Sequence, residues 1–498
     1  MNSSEPGAGR GQRPILRNVS EIRRYFYRNE EPIYFVSATS FNLLGMDEWV
    51  RNFWFLSYID CFDGDHPHTF VPEELPHETF ESIEDINNYL LGHKQVAELV
   101  RSRASGGRGG KAVFLMFDER TEELARQLGL EVCFPPAKLR QEIDDKVTTT
   151  RIGNEVGVPS VPNVLARVQS YADLREAARG LGDELVVQTS YGDSGHTTFF
   201  IAGEEDYDRH ADEIRAEDEV KVMKRLRCRG SAQEACVTRH GTIVGPLMTE
   251  LVGFPELTPY KGGWCGNEVV AEPFSEDVRA RAREMTFKLG EGLRQRGYKG
   301  YFEVDYLTDL DTDELYLGEI NPRVTGASSM TNLAAFAHAD VPLFLFHLLE
   351  FCDVDYEIDV AEINERWAHE DSIDPWSQMV LKHTGKEVDV ISSAPRSGVY
   401  HLHGDGRAEF VRVQTHRRTV QNENRAFFLR IARPGDWRYE GADLGILVTP
   451  GRLMTPEGQL TERARGWIQG IRAHFAGGAA APEPRRPEPV EVGGFKFL

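Results

Sequence analysis

Apolar positions along the chain fall into short runs that alternate with helical stretches. Residues 33–37 (IYFVS) and 112–117 (AVFLMF) each read as a short buried strand. The second is followed by a helical stretch, ERTEELARQLG, that stops at Gly129, and then by a strand around EVCF. Strand, helix and strand at this spacing predict a βαβ unit and a parallel sheet. Residues 144–157 predict a helix ended by Gly157, after which Pro159 and Pro162 force an extended chain. Another helix starts at Ser170, with Asp173 three residues on, and runs through YADLREAARGLG. A strand (ELVVQ), a loop (TSYGDSGHTT) and a strand (FFIAG) come next, and 219–226 and 233–245 read as further strands. A long helix over 275–297, capped by Ser275, leads into two paired strands, YFEVDYL and ELYLGEI, joined by the acidic turn TDLDTD. Beyond residue 350 lie an acidic helical patch (353–371), a β-rich block with glycines at its turns, an amphipathic helix near 457–475, and a Pro/Gly/Ala-rich tail.

Composition narrows the class. The chain has 498 residues, 40 % of them hydrophobic, which fits about three globular units of ~100–200 residues each. Its net charge of −22 repels phosphate backbones and anionic lipid, so neither a nucleic-acid nor a membrane partner is expected. The strongest apolar run, 341–351, is far short of the ~20 residues needed to span a bilayer and carries His347 and Glu350. Six scattered cysteines show no metal-ligand spacing, and the polar opening MNSSEPGAGRGQR has no signal-like apolar core. A cytoplasmic location is expected.

The chemistry is densest in residues 301–326, YFEVDYLTDLDTDELYLGEINPRVTG. Asp305 lies on one strand, and Glu319 and Asn321 lie two apart on the next, so a hairpin brings three oxygen-bearing side chains to one face. Arg323, two residues on, falls on the same face. Two carboxylates, an amide oxygen and a guanidinium suit Mg²⁺ bound to a polyphosphate, because Mg²⁺ prefers a few carboxylates plus phosphate oxygens. The turn Asp309-x-Asp311-x-Asp313 is not a calcium loop, since Glu314 replaces the required glycine and Ile320 stands where the bidentate Glu belongs. The run GGRGGK at 106–111 misses a phosphate-binding loop at both ends, at Ser105 and Ala112. The pairs His66/His68 and His401/His403 lack a third ligand at matching distance. The sequence GDSG at 192–195, between two strands, can form a nest of backbone N–H groups for phosphate.

From about residue 110 to 345 the chain resembles an ATP-grasp enzyme. The resemblance rests on Asp145-Lys146 opening a helix that ends in Gly157-Val-Pro, the loop Gly192–Gly195 after a strand, the strand Val222-Met223-Lys224-Arg225-Leu226, Val304-Asp305-Tyr306, and Gly318-Glu319-Ile320-Asn321-Pro322-Arg323. It implies an ATP-grasp fold of α/β and α+β parts. An N-terminal tail (1–30) and an α/β pre-grasp domain (31–143) would precede an ATP-grasp domain (144–350) whose small lobe (144–221) and large lobe (222–350) clamp ATP. A C-terminal α+β domain (351–475) and a tail (476–498) would follow.

The resemblance also implies site roles. Lys146 would touch the α-phosphate, Met223 with the backbone of Lys224 and Leu226 would line the adenine, and Ser194 and Gly195 would cover the β/γ-phosphates. Glu234 would reach the ribose. Asp305, Glu319 and Asn321 would hold Mg²⁺ (two ions, with Mn²⁺ an alternative), and Arg323 would meet the acyl phosphate and the tetrahedral intermediate. One position departs from the pattern. A lysine usually ends the strand before the glycine-rich loop, and here Gln188 stands in its place, able to donate hydrogen bonds but bringing no charge. Lys261, in PYKGGWCGNE, is the lysine considered as compensation. That loop lies where the family brings substrate over the metals, so Trp264 and Glu268 are substrate candidates.

The implied activity is an ADP-forming ligase, in the amino-acid and peptide ligase branch of natural-product pathways. It would join an acid to an amine, with small-molecule substrates as partners and a homodimer as the assembly considered. Two alternatives stay open: a biotin-carboxylase-like enzyme that activates bicarbonate, and an ATP-binding protein of weak catalysis. Against the first, Asn267-Glu268 precede Val-Val where that group typically has a lysine.

Overall fold

The computed structural model describes residues 15–75, 80–104, 108–190, 198–333, 341–369, 373–417 and 420–478. The N-terminal part builds a five-stranded parallel sheet from Thr69–Phe70, Phe53–Ser57, Ile33–Ser37, Gly110–Phe114 and Leu130–Val132, in that order. The predicted βαβ unit is there, its helix Glu119–Gln127 closed at the start by a capping box between Asp118 and Thr121. The strand predicted at 112–117 lies earlier, at Gly110–Phe114, because its ladder with Leu130–Val132 begins at Gly110 opposite Leu130.

Residues 144–157 form the helix Lys146–Val156, with the side chain of Asp145 accepting from Thr148 N and Gly157 closing it at φ 72°. A left-handed residue at that place favours glycine because it carries no Cβ. A four-stranded antiparallel sheet follows, ordered Asn163–Ala166, Val220–Lys224, Leu185–Gln188, Thr198–Ile201. We refer to it as the small lobe, although its strand Val220–Lys224 runs past the expected boundary at 221.

The large lobe carries the main sheet. The single strand expected at 233–245 is a hairpin, Cys228–Thr238 with Gly241–Val252, turning at Arg239–His240. It pairs on one side with the hairpin Gly300–Asp309/Leu315–Asn321 and on the other with Trp264–Val269. The sheet does not stop at residue 350. Trp376–Lys382 pairs with Trp264–Val269, and four more C-terminal strands extend it to ten. The helix Glu276–Gln295 buries Val278, Ala282, Met285, Leu289 and Leu293 against one face, a spacing that matches a helix stripe. The apolar run at 341–351 is a buried helix, Leu343–Phe351, packed in the core shared with the N-terminal sheet. No helix among the described residues is long and apolar enough to cross a membrane.

Candidate functional site

The site grows out of the hairpin Gly300–Asp309/Leu315–Asn321. Its register sets Asp305 opposite Glu319 and Glu303 opposite Asn321, with a bulge after Asp305. Residues paired across an antiparallel ladder share a face, so these four side chains meet. Asn321 Nδ2 donates to Asp305 Oδ2 at 3.0 Å and to Glu303 Oε2 at 3.2 Å, and Arg323 donates to Asn321 Oδ1 at 2.7 Å. Arg323 also lies 3.6 Å from Asp144 Oδ2. Asp305, Glu319, Asn321 and Arg323 are therefore brought together. Glu303 joins them as a residue not expected from the sequence motif, although its place two residues before Asp305 on the same strand puts it on the same face.

Lys146 approaches from the start of its helix, and its Nζ is 2.8 Å from Glu319 Oε2. Burial pulls the lysine's pKa down, but the charge and hydrogen bond of Glu319 and the charge of Asp144 together outweigh it, and the net shift is upward. Glu319 responds in kind. Burial pushes its carboxyl up, while Lys146 and a hydrogen bond from Asp305 bring it down to about 2. Asp305 goes the other way, raised well above the usual carboxylate range by burial and then by the charges of Glu303, Glu250 and Glu319. A buried group of carboxylates that cannot all ionise is one a divalent cation would relieve. The donor set thus fits Mg²⁺ only in part. Among the described residues no three His, Cys, Asp or Glu side chains converge as a metal cage, so the remaining ligands would have to be phosphate oxygens.

The small-lobe sheet faces this hairpin. Val186 and Met223 are paired across its central strands, and with Val161, Leu226, Leu307 and Tyr316 they form an apolar cluster between the lobes. Met223 and Leu226 are thus together, as an adenine-lining pair requires. Lys224 is exposed, and its N–H donates to Pro162 O at 3.0 Å, which takes that donor from a nucleotide in this conformation. Two residues along the strand from Met223, Lys221 pairs with Gln188, and the lysine side chain is fully buried. Gln188 donates to Thr198 Oγ1 at 3.2 Å. Burial, and secondarily the charge of Lys146, lower the Lys221 pKa to about 8 against the opposing pull of Glu319. The helix N-terminus at Lys146 is tied to the glycine-rich loop's lead-in by Lys146 N donating to Ser190 O at 3.0 Å. Ser194 and Gly195 lie outside the described residues.

Three expected roles need correction. Glu234 is fully buried on the large sheet, accepting from Tyr301 Oη, Ser328 Oγ and Thr325 Oγ1, so it holds the segment after Arg323 in place and does not reach a ribose. Glu268 is also fully buried. Its Oε1 accepts from the N–H groups of Leu453 and Met454 and from Ser377 Oγ, which makes it a tether to the C-terminal strands and removes it from any substrate. Lys261 sits exposed in its loop, and no hydrogen bond or ion pair of its ammonium occurs among the described residues. It does not join the carboxylate cluster. Trp264, by contrast, lies over Gly326, three residues beyond Arg323, where an added Cβ would come within 2.4 Å of the ring. Its Nε1 donates to Asn267 Oδ1 at 3.0 Å.

Across the same face of the sheet, Glu250 pairs with Asn267. Burial and the charge of Glu319 raise the Glu250 carboxyl to about 7.

No protein-family model matches the chain, and no curated protein matches it. Solved structures do. An N5-carboxyaminoimidazole ribonucleotide synthetase in its ADP complex aligns over 93 % of this chain and 99 % of its own, at TM-score 0.54 and 14 % identity. The N5-carboxyaminoimidazole synthase of Aspergillus clavatus, with ADP and aminoimidazole ribonucleotide, aligns over 89 % and 99 %, at TM-score 0.54 and 12 % identity. The biotin carboxylase domain of Hydrogenobacter thermophilus 2-oxoglutarate carboxylase, with MgADP, ADP and bicarbonate, aligns over 91 % of both chains, at TM-score 0.57 and 11 % identity. At such identities the likeness speaks to architecture, and that architecture is the ATP-grasp fold of mixed α/β and α+β parts.

Proposed function

We propose that the chain is an ATP-dependent, ADP-forming ligase that activates a carboxylate as an acyl phosphate and passes the acyl group to an amine. The observation that carries this reading is the Lys146–Glu319 pair set beside Asp305 and Asn321, with Arg323 bonded to the same asparagine. Asp305, Glu319 and Asn321 would hold Mg²⁺, which when bound neutralises charge on the phosphate oxygens. Lys146 would exchange part of its pairing with Glu319 for the α-phosphate. Met223, Leu226 and the cluster around them would hold the adenine, and Ser194 and Gly195 would cover the terminal phosphates.

A substrate carboxylate oxygen attacks the γ-phosphorus and ADP leaves with the electron pair of the broken P–O bond. The amine then attacks the acyl carbon, phosphate departs, and the amine loses its proton. Arg323 stabilises the negative charge on the tetrahedral oxygen, a task that depends on a pre-set donor. Asn321 and Asp144 pre-set it. Trp264, lying over the segment after Arg323, would close the substrate side. The substrates would be amino acids or short peptides, as in the natural-product ligases the sequence resembles, with two metal ions and a homodimer as the assembly.

A second reading is favoured by the bound molecules of one structural neighbour, the biotin carboxylase domain with MgADP and bicarbonate. Bicarbonate is itself a carboxylate, and the same residues would activate it. Incubation with ATP, Mg²⁺ and pools of amino acids or bicarbonate, followed by phosphate release and product mass, separates the two. Amino-acid-dependent release with a product equal to acid plus amine minus water supports the amide ligase. Release with bicarbonate alone supports the carboxylating reading, and ATP binding without release in any pool contradicts both.

A further inference from the structure

The strand Leu185–Gln188 ends in a neutral amide where the resemblance to ATP-grasp enzymes leads one to expect a phosphate-binding lysine. The missing charge stands one strand away. Lys221 is the ladder partner of Gln188, so the two side chains share one face of the small-lobe sheet. Two residues further along the same strand and on the same face is Met223, inside the apolar cluster with Val161, Val186, Leu307 and Tyr316. On its other side the Lys221 ammonium reaches Gly318 O at 3.4 Å, next in sequence to Glu319, and it feels the charges of both Glu319 and Lys146. Lys221 therefore lies between the apolar slot and the carboxylates of the hairpin. A nucleotide with its base in that slot and its terminal phosphates on those carboxylates must run its phosphate chain past this ammonium.

The burial is the second clue. Lys221 is fully buried, yet its ammonium has no carboxylate within ion-pair distance among the described residues, and its hydrogen bond is a long one to a neutral carbonyl. A buried cation without a close counter-charge is costly, and such groups concentrate at functional sites. We propose that Lys221 supplies the phosphate-binding charge that Gln188 lacks, the lysine having been relocated to the neighbouring strand with Gln188 beside it as a neutral donor. The proposal rests on reading the interlobe cleft as an ATP site.

The test is nucleotide binding to the full chain, by calorimetry, with MgATP, MgADP and adenosine. Lys221→Gln is expected to weaken MgATP and MgADP by about tenfold or more, as loss of a charge-assisted phosphate contact does, and to leave adenosine affinity unchanged. The double variant Lys221→Gln/Gln188→Lys, which returns the charge to the other strand, is expected to recover most of the MgATP affinity. A lysine that merely tethers the lobes through Gly318 would weaken adenosine as much as ATP and would not be rescued from position 188. Should Lys221→Gln fail to fold, Lys221→Met, close in shape, makes the same comparison. Wild-type MgATP affinity in the single variant Lys221→Gln or Lys221→Met overturns the proposal, as does absence of rescue in the double variant. If the wild-type chain binds no nucleotide, the ATP-site reading falls and takes the proposal with it. If it binds MgATP but ligates nothing, the ligase reading falls while Lys221 is still judged by binding alone.

Discussion

Lys146 Nζ lies 2.8 Å from Glu319 Oε2, joining the first residue of a small-lobe helix to the last strand of the large-lobe hairpin. The contact links that helix to the hairpin, and each partner shifts the charge state of the other. It holds the Glu319 carboxyl down at about 2 while Asp305, its ladder partner, is pushed up.

The sign of this shift makes the pair testable by pH. A carboxyl whose pKa drops from 4.5 to about 2 on folding contributes stability above pH 4.5 and loses it as pH falls through 2. Glu319→Gln should therefore destabilise the ligand-free protein by roughly 2 kcal/mol at pH 7, a figure reduced for the partial exposure of Glu319. The difference from wild type should vanish near pH 2. Urea unfolding across this range measures it, and a difference independent of pH would contradict the assignment.

Glu250 has the opposite sign. Its carboxyl rises from 4.5 to about 7 on folding, so the native state loses stability as pH climbs through that interval. Glu250→Gln should match wild type near pH 4 and be more stable by roughly 2 kcal/mol at pH 8, in EDTA and without nucleotide. Thermal unfolding at the two pH values reads this directly, and equal melting temperatures at pH 8 would refute it.

Arg323→Ala removes the donor that Asn321 and Asp144 orient. Phosphate release should fall by about 10²–10³-fold, the usual cost of losing one charge-stabilising donor, with the fold intact by circular dichroism. Turnover within a few-fold of wild type would remove Arg323 from the reaction.

Glu268→Ala should behave as a structural lesion. It leaves the N–H groups of Leu453 and Met454 without their buried acceptor, at a cost of about 2–4 kcal/mol. Activity per folded molecule should be unchanged. A selective rise in KM at normal stability would restore Glu268 as a substrate residue.

Gly326→Ala should disturb Trp264, because the added methyl would stand 2.4 Å from the indole. The Trp264 fluorescence environment and the substrate KM should both shift, whereas MgATP affinity should not. Unaltered fluorescence and KM would separate Trp264 from the substrate side.

Much of this was legible in the sequence because it depends on neighbours along the chain. The alternation Asp305, then Glu319 and Asn321, fixed which side chains share a face, and Asp145 and Gly157 marked both ends of the helix that carries Lys146. What the sequence hid depends on pairing between distant strands. Lys221 sits in an otherwise apolar strand, VKVM, which was a sign of a buried lysine, but its place beside Gln188 follows only from the ladder. Likewise an acid after Asn267 looks available to substrate until the register turns Glu268 toward Ser377 and the backbone at Leu453. The setting of Glu234 is hidden for a similar reason, since the partners that enclose it lie at 301 and 325–328.

The proposed chemistry activates a carboxylate as an acyl phosphate beside the Lys146–Glu319 pair. The most direct measurement is oxygen-isotope transfer, using the acid found by the phosphate-release screen with ¹⁸O in its carboxylate. The expected result is ADP as the nucleotide product and one ¹⁸O atom carried from the acid into each phosphate released. AMP and pyrophosphate as products, or phosphate free of label, would contradict it.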